Sequence, residues 1–188
     1  DLKERMGEQR FLVDDEKNIG YTMKVERNKD GEIKESQLLS FKTGKKADGK
    51  CSVVAEDVDV MMGAKDGDIY YLTDMDEGMG DLYCNEELID SDVMIGTLEF
   101  TKEQKYPIYK TDYNTSKNLF TLKMFDGKNA KVIADDAFDY KVVDEKKIAV
   151  LVDYDDDDST GTLKLYRGKD KLIELDDDVI CLFGGMYN

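Results

Sequence analysis

Short apolar segments separated by turn residues run through most of this chain. The segment Ile148–Val152 is rich in β-branched side chains, and Thr162, Lys164 and Tyr166 alternate with leucines in the next segment. This pattern predicts β-strands, because a strand places successive side chains on opposite faces of a sheet. The intervening runs of Gly, Asp and Lys are typical of tight turns. No amphipathic stretch of helical length follows residue 10, so the pattern predicts an all-β chain.

An internal repeat organises these predicted strands. A block of residues beginning at Asp112 returns 41 positions later, at Asp153. Repetition with a period of about 40 residues predicts stacked supersecondary units that bury their apolar faces against one another. The identical pairs at this offset are Asp112/Asp153, Tyr113/Tyr154, Thr121/Thr162, Leu122/Leu163, Lys123/Lys164, Gly127/Gly168, Lys128/Lys169, Asp135/Asp176 and Asp136/Asp177.

The repeat predicts a β-propeller-like array of about four blades, each with four short strands. Several segments, such as IAVLV and VICLF, are apolar on both faces, as expected for a sheet that is covered by neighbours on both sides. A β-sandwich is the alternative, although its strands alternate more cleanly. The predicted repeats cover roughly residues 11–62, 63–102, 103–144 and 145–188.

We expect residues 1–188 to form a single repeat-built domain. Residues 1–10 contain good helix formers and no β-branched side chain, which predicts a short N-terminal helix or arm. Four blades are the small limit for a closed ring. The array is therefore either a complete small ring or a partial one that a second copy of the chain completes as a homodimer.

Charge restricts the choice of partners. The chain has 27 basic and 43 acidic residues, for a net charge of -16. This charge repels phosphate backbones and anionic lipid surfaces, so we expect neither nucleic acid nor the membrane surface as a partner. It favours a protein or peptide partner, in particular a basic one. No apolar run approaches the length of a membrane span, so direct membrane insertion is not expected either.

The residue inventory argues against most enzyme classes. The chain has no histidine, and its three cysteines lie singly without metal-ligand spacing. Histidine–nucleophile pairs and zinc clusters are therefore not indicated. We predict a non-enzymatic binding or scaffold module without a cofactor. A carboxylate-based glycoside hydrolase is a less favoured alternative, because acidic residues are abundant but there is no Trp to stack on a sugar.

Calcium is the metal to consider, because Asp153, Asp155 and Asp157 alternate as they do in calcium loops. An EF-hand would require Gly and Glu at the positions occupied by Asp158 and Lys164. A solvated hairpin tip is therefore the preferred interpretation. A calcium-binding structural or sensory domain that uses these three residues is the alternative.

The repeat also suggests a partner-binding surface. An acidic residue precedes an apolar one near the end of each repeat, at Asp57, Asp92, Asp136 and Asp178. If the repeats surround an axis, these carboxylates would gather at one mouth and attract a cation or a basic peptide. In the third repeat the apolar residue at this step is Phe138, so its Asp is displaced by one position relative to the other repeats.

Three stretches resemble the repeat units of predicted extracytoplasmic β-propeller-like proteins of gut Firmicutes. They are GDIYYLTDMDEGMGDLYC, MFDGKNAKVIADDAF and LYRGKDKLIELDDDV. The resemblance covers residues from about 60 to 183. It implies a cell-surface or extracytoplasmic location and no particular activity, since proteins of this kind are generally of unknown function.

Overall fold

The computed structural model describes residues 11–168 and 172–182. In that part of the chain the backbone forms β-strands and one short 3-10 helix, Gly44–Lys46. The predicted N-terminal helix or arm at residues 1–10 lies outside the described residues. The strands are β1 (Phe11–Asp14), β2 (Ile19–Arg27), β3 (Ile33–Lys42), β4 (Cys51–Glu56), β5 (Val60–Gly63), β6 (Ile69–Asp76), β7 (Met79–Cys84), β8 (Glu87–Met94), β9 (Glu99–Phe100), β10 (Pro107–Asn114), β11 (Leu119–Phe125), β12 (Ala130–Asp144), β13 (Lys147–Asp155), β14 (Thr160–Tyr166) and β15 (Ile173–Val179).

These strands form three antiparallel sheets in which each strand pairs with its neighbours in sequence. The first sheet contains β1 to β4, the second β5 to β8, and the third β9 to β15. The all-β prediction is confirmed. The predicted repeat limits do not coincide with the sheets, because β5 lies in the predicted first repeat but pairs within the second sheet.

The chain divides into two compact units, Asp1–Gly96 and Thr97–Asn188. The first unit contains the first two sheets. Its core is a cluster of buried residues drawn from both sheets and from the segment between β4 and β5: Leu38, Val58, Met61, Ile69 and Tyr71. Because only residues 57–59 connect β4 to β5, the two sheets are held close enough to share this core.

The second unit is built on the long strand β12. Its N-terminal half pairs with β11 and its C-terminal half with β13, so one strand joins two four-stranded sets. Alternate residues of β13 face the core of this unit, which contains Ile148, Val150 and Val152 together with Ile108 and Leu122. The burial of β11 alternates with period 2, as expected for a strand that has one face on a core, whereas β13 also buries the intervening Leu151.

The strand register of the second unit repeats at the predicted offset. Thr111 lies opposite Thr121 and Val152 opposite Thr162, so both partners shift by 41 residues. A bulge follows in both hairpins, after Thr111 and after Val152. The matched residues of these strands therefore occupy equivalent places.

The last strand of the repeat departs from that offset by one residue. Lys123 pairs with Val132, whereas Lys164 pairs with Glu174, a separation of 42 residues from Val132. The predicted pairs Asp135/Asp176 and Asp136/Asp177 are therefore wrong. The equivalent pairs are Asp135/Asp177 and Asp136/Asp178, because the turn before β15 is one residue longer than the turn before β12. The hydroxyl groups of Thr121 and Thr162 mark this equivalence by donating hydrogen bonds to Asp135 and Asp177 respectively.

Candidate functional site

The four acidic residues predicted as a partner-binding surface share one unusual backbone conformation. All four have positive φ, with values of 53° for Asp57, 55° for Asp92, 48° for Asp136 and 54° for Asp178. Left-handed backbone is strained for most residues and is tolerated best by Gly, Asn and Asp. Each Asp is exposed. Asp therefore recurs at this position because it tolerates left-handed backbone, independently of what its carboxylate binds.

Each of these aspartates ends a run of strand pairing, and in the first three repeats the next side chain turns inward, whereas Val179 after Asp178 is half-buried. Register shifts bracket Asp92, Asp136 and Asp178, as expected for β-bulges. The residue that follows is buried at Val58, Val93 and Ala137, which are 1%, 0% and 0% exposed. The third repeat is therefore not displaced: its apolar residue is Ala137, and the predicted match to Phe138 is wrong.

Within each unit the structure places these aspartates on the outside of the sheets. Asp57 and Asp92 belong to the first unit, and Asp136 and Asp178 to the second. Among residues 11–168 and 172–182, no three acidic or cysteine side chains converge closely enough to hold a metal ion. A common acidic mouth formed by all four carboxylates stays a prediction.

The three residues predicted as calcium ligands make local contacts in a hairpin. Asp153 forms an ion pair with Lys164 at 2.9 Å, and its side chain is 66% exposed. The Oδ1 atom of Asp155 accepts a hydrogen bond from the Asp157 amide at 2.8 Å, the usual way in which Asp stabilises a turn. This geometry supports the hairpin-tip interpretation, and the calcium hypothesis stays a prediction.

A second type of Asp bulge lies at the same end of the sheets, across the middle strand from Asp92 and Asp136. Asp74 and Asp112 also have positive φ, and each carboxylate accepts a hydrogen bond from the hydroxyl of the preceding threonine, Thr73 at 2.9 Å and Thr111 at 2.8 Å. Both threonines are buried. These aspartates therefore satisfy the hydrogen-bonding needs of buried hydroxyl groups.

A pocket of about 380 Å³ opens between the two sheets of the first unit. Its floor is apolar and includes Leu38 and Ile69, which are 0% and 3% exposed. Strands β2 and β3 contribute Tyr21 and Ser40, which lie opposite each other in the sheet. The turns between β1 and β2 and between β7 and β8 supply the rim. The complete lining is Lys17, Ile19, Tyr21, Leu38, Ser40, Val54, Ile69, Asn85 and Glu86.

A hydrogen-bonded corner fixes the shape of the rim. The Oδ1 atom of Asp14 accepts the Lys17 amide at 2.9 Å, and the Lys17 ammonium lies 3.2 Å from Oδ2. These contacts hold the pKa of Asp14 below its usual range, the backbone hydrogen bond contributing most. The ammonium of Lys17 is also 4.0 Å from Asp68. Asn85 ties the opposite turn to the same corner by donating to Asp68 at 3.1 Å.

The electrostatic environment of the pocket is acidic. Around the Tyr21 hydroxyl, three carboxylates (Asp14, Asp68 and Glu86) act against one ammonium, that of Lys17. Burial raises the pKa of Tyr21 and the nearby carboxylates raise it further, so its hydroxyl remains a neutral hydrogen-bond donor. Hydrogen bonding to Asp14 raises the pKa of Lys17 and keeps its ammonium charged.

The pocket residues carry no repeat signal. Lys17, Asn85 and Glu86 lie in turns, and turn lengths vary between the repeats, so the offset that identified the aspartates could not identify them. Asn85 has a positive φ of 56°, and an Asn followed by polar residues between two strands is a recognisable hairpin signal. That signal predicts the turn without predicting the recess beneath it.

Comparison with known proteins leaves the chain without a family. No family model matches it, and no curated protein matches it. Among solved structures, the chain is similar to one described as the crystal structure of the eukaryotic initiation factor, at 10% sequence identity and a TM-score of 0.42. The match covers 90% of this chain and 51% of that one, so the chain spans about half the length of the matched protein.

Proposed function

We propose that this chain is a non-enzymatic binding or scaffold module that recognises a protein, a peptide or a surface polymer. The observation that carries the proposal is the pocket between the first two sheets, which combines an apolar floor with a polar rim. Ligand sites in proteins usually have this composition and a volume of roughly 300–1,000 Å³. The module would use preformed turns to hold its ligand.

The chemistry of the pocket supports binding over catalysis. Ser40 is a lining hydroxyl, but the chain has no histidine that could activate it. Lys17 is a poor general base, because its ion pair with Asp14 keeps it protonated. The remaining polar groups of the lining can orient a ligand by hydrogen bonds and charge.

We further propose that the three sheets represent four propeller-like units. The first and second sheets would each be one unit, and the third sheet two units that share β12. The support is the equal register of the hairpins β10–β11 and β13–β14 and the recurrence of a positive-φ Asp in, or directly after, the last strand of every unit. Partial arrays of this kind could be completed by a second copy of the chain.

The location of the protein and the charge of its partner belong to the same proposal. The resemblance of the repeats suggests a cell-surface or extracytoplasmic setting, and the net charge of -16 favours a basic partner over nucleic acid or an anionic membrane. No helix in the described part of the chain is long and apolar enough to cross a membrane.

A binding screen tests the proposal. The chain would be immobilised and exposed to matched libraries of basic, neutral and acidic peptides and to soluble cell-surface polysaccharides, with parallel assays for hydrolysis of the same ligands. We expect saturable binding of a subset, favouring basic peptides, and no turnover. Hydrolysis that a single Asp or Glu substitution abolishes would contradict the non-enzymatic assignment.

A further inference from the structure

The rim of the pocket in the first unit contains one carboxylate that the protein leaves unmatched. Glu86 lines the pocket and is exposed to solvent. No hydrogen bond or ion pair joins its carboxylate to another of the described residues, whereas the Lys17 ammonium is already shared between Asp14 and Asp68. The cation of the rim is therefore occupied, and Glu86 offers a free negative charge.

The same pocket also has apolar lining residues. Ile19 and Val54 line the pocket with partly exposed apolar side chains, and Ile69 and Leu38 are almost fully buried at its floor. A ligand that satisfies both features needs an aliphatic chain for the apolar lining and a cationic end for the rim. A guest carboxylate would instead face Glu86 and compete with Asp14 and Asp68 for Lys17.

We propose that this pocket binds the side chain of a lysine from a peptide, with the aliphatic chain against Ile19 and Val54 and the ammonium at Glu86. The proposal rests on the function proposed above and assigns its chemistry to one recess. The Tyr21 hydroxyl and the Asn85 side chain, which border the same recess, stay uncharged and so do not repel the ammonium. The volume of about 380 Å³ suits one such side chain better than a folded domain.

Binding of short capped peptides tests this assignment. The peptides would have the form acetyl-Gly-X-Gly-amide, with X as lysine, norleucine or glutamate, and n-butylamine would serve as the free amine. Titration would be followed by nuclear magnetic resonance shifts and by calorimetry. We expect the lysine peptide to bind about two- to fivefold more tightly than the norleucine peptide, which keeps the chain length but lacks the charge.

Two variants identify the pocket. Glu86→Gln should weaken the lysine peptide by about two- to fivefold, as for an exposed ion pair, and leave norleucine binding unchanged. Glu87→Gln is the matched control, because it is the next residue, is equally exposed and does not line the pocket. Ser40→Leu should reduce binding of both peptides by at least about tenfold by filling the recess.

The outcomes separate this assignment from the general function. Equal losses in Glu86→Gln and Glu87→Gln, or tighter binding of the glutamate peptide, would overturn it, whereas n-butylamine binding at the same residues would support it. If basic peptides from the screen bind but Ser40→Leu has no effect, the binding module stands and this pocket is excluded. If Ser40→Leu does not fold, chemical-shift changes confined to residues around Glu86 in the wild-type chain support the assignment, and changes confined elsewhere refute it.

Discussion

The recurring positive-φ aspartates predict a specific order of stability among substitutions at Asp92. Its side chain is exposed, so replacement removes no core packing, and the backbone φ of 55° dominates the outcome. Left-handed backbone costs a residue with a Cβ about 1–2 kcal/mol, and more when the side chain is β-branched. We expect Asp92→Gly to change the free energy of unfolding by less than about 0.5 kcal/mol, Asp92→Ala to lower it by about 1 kcal/mol, and Asp92→Val by about 2 kcal/mol or more.

The control is Asp81→Val in the neighbouring strand β7. It removes the same charge from the same sheet, but Asp81 lies within strand β7, pairs with Thr73 and has no positive φ, so its backbone accepts valine. Its unfolding free energy should stay within about 0.5 kcal/mol of the parent. Urea unfolding, followed by circular dichroism and tyrosine fluorescence, measures all four variants. If Asp92→Val were as stable as Asp92→Gly, the bulge and its reason for Asp would be refuted.

Three further predictions concern packing and titration. Gly80→Ala should lower the free energy of unfolding by about 1–3 kcal/mol, because a Cβ there would lie 2.5 Å from the carbonyl oxygen of Thr73; a urea midpoint equal to that of the parent would contradict this contact. Burial raises the pKa of Tyr71 to about 12. The stability that this residue contributes is therefore present below its ordinary pKa of 10.0 and is lost as pH rises through 12. Tyrosinate absorbance should show this late ionisation in the native chain, and Tyr71→Phe should remove it. The lowered pKa of Asp14 stabilises the fold at pH above the ordinary pKa of 3.8, and this contribution is lost as pH falls through the lower native pKa. The Asp14→Asn variant should therefore lose less stability than the parent on acidification, as measured by thermal melts. An unchanged acid dependence would exclude the Asp14–Lys17 contact.

The sequence allowed the strands, their turns and the repeat to be predicted, because local physics decides them. Alternation of apolar and polar residues fixes which face of β11 is buried, and the offset of 41 correctly matched residues of β10 and β11 with those of β13 and β14. The last strand was misaligned because its turn carries one extra residue. Identical aspartates at neighbouring positions, such as Asp176, Asp177 and Asp178, concealed the shift.

The candidate site could not be predicted from the sequence, for a different reason. Its floor and rim come from residues 17 to 86, which only the packing of two sheets brings together. The aspartates chosen from the repeat were prominent because a left-handed bulge selects that residue type in every unit. Glu86, by contrast, is one exposed acid among 43 acidic residues until the structure places it at the rim of an apolar recess.

Cross-strand proton contacts in solution test most directly whether the recurring units fold as equivalent sheets. Nuclear Overhauser spectra should connect Thr111 with Thr121 and Val152 with Thr162, and the register should shift after both pairs, so that Asn114 meets Leu119 and Asp155 meets Thr160. The same spectra should pair Lys164 with Glu174, one residue beyond the position expected from the pairing of Lys123 with Val132. Contacts at a different register in either hairpin, or hairpins whose registers do not correspond, would contradict the account.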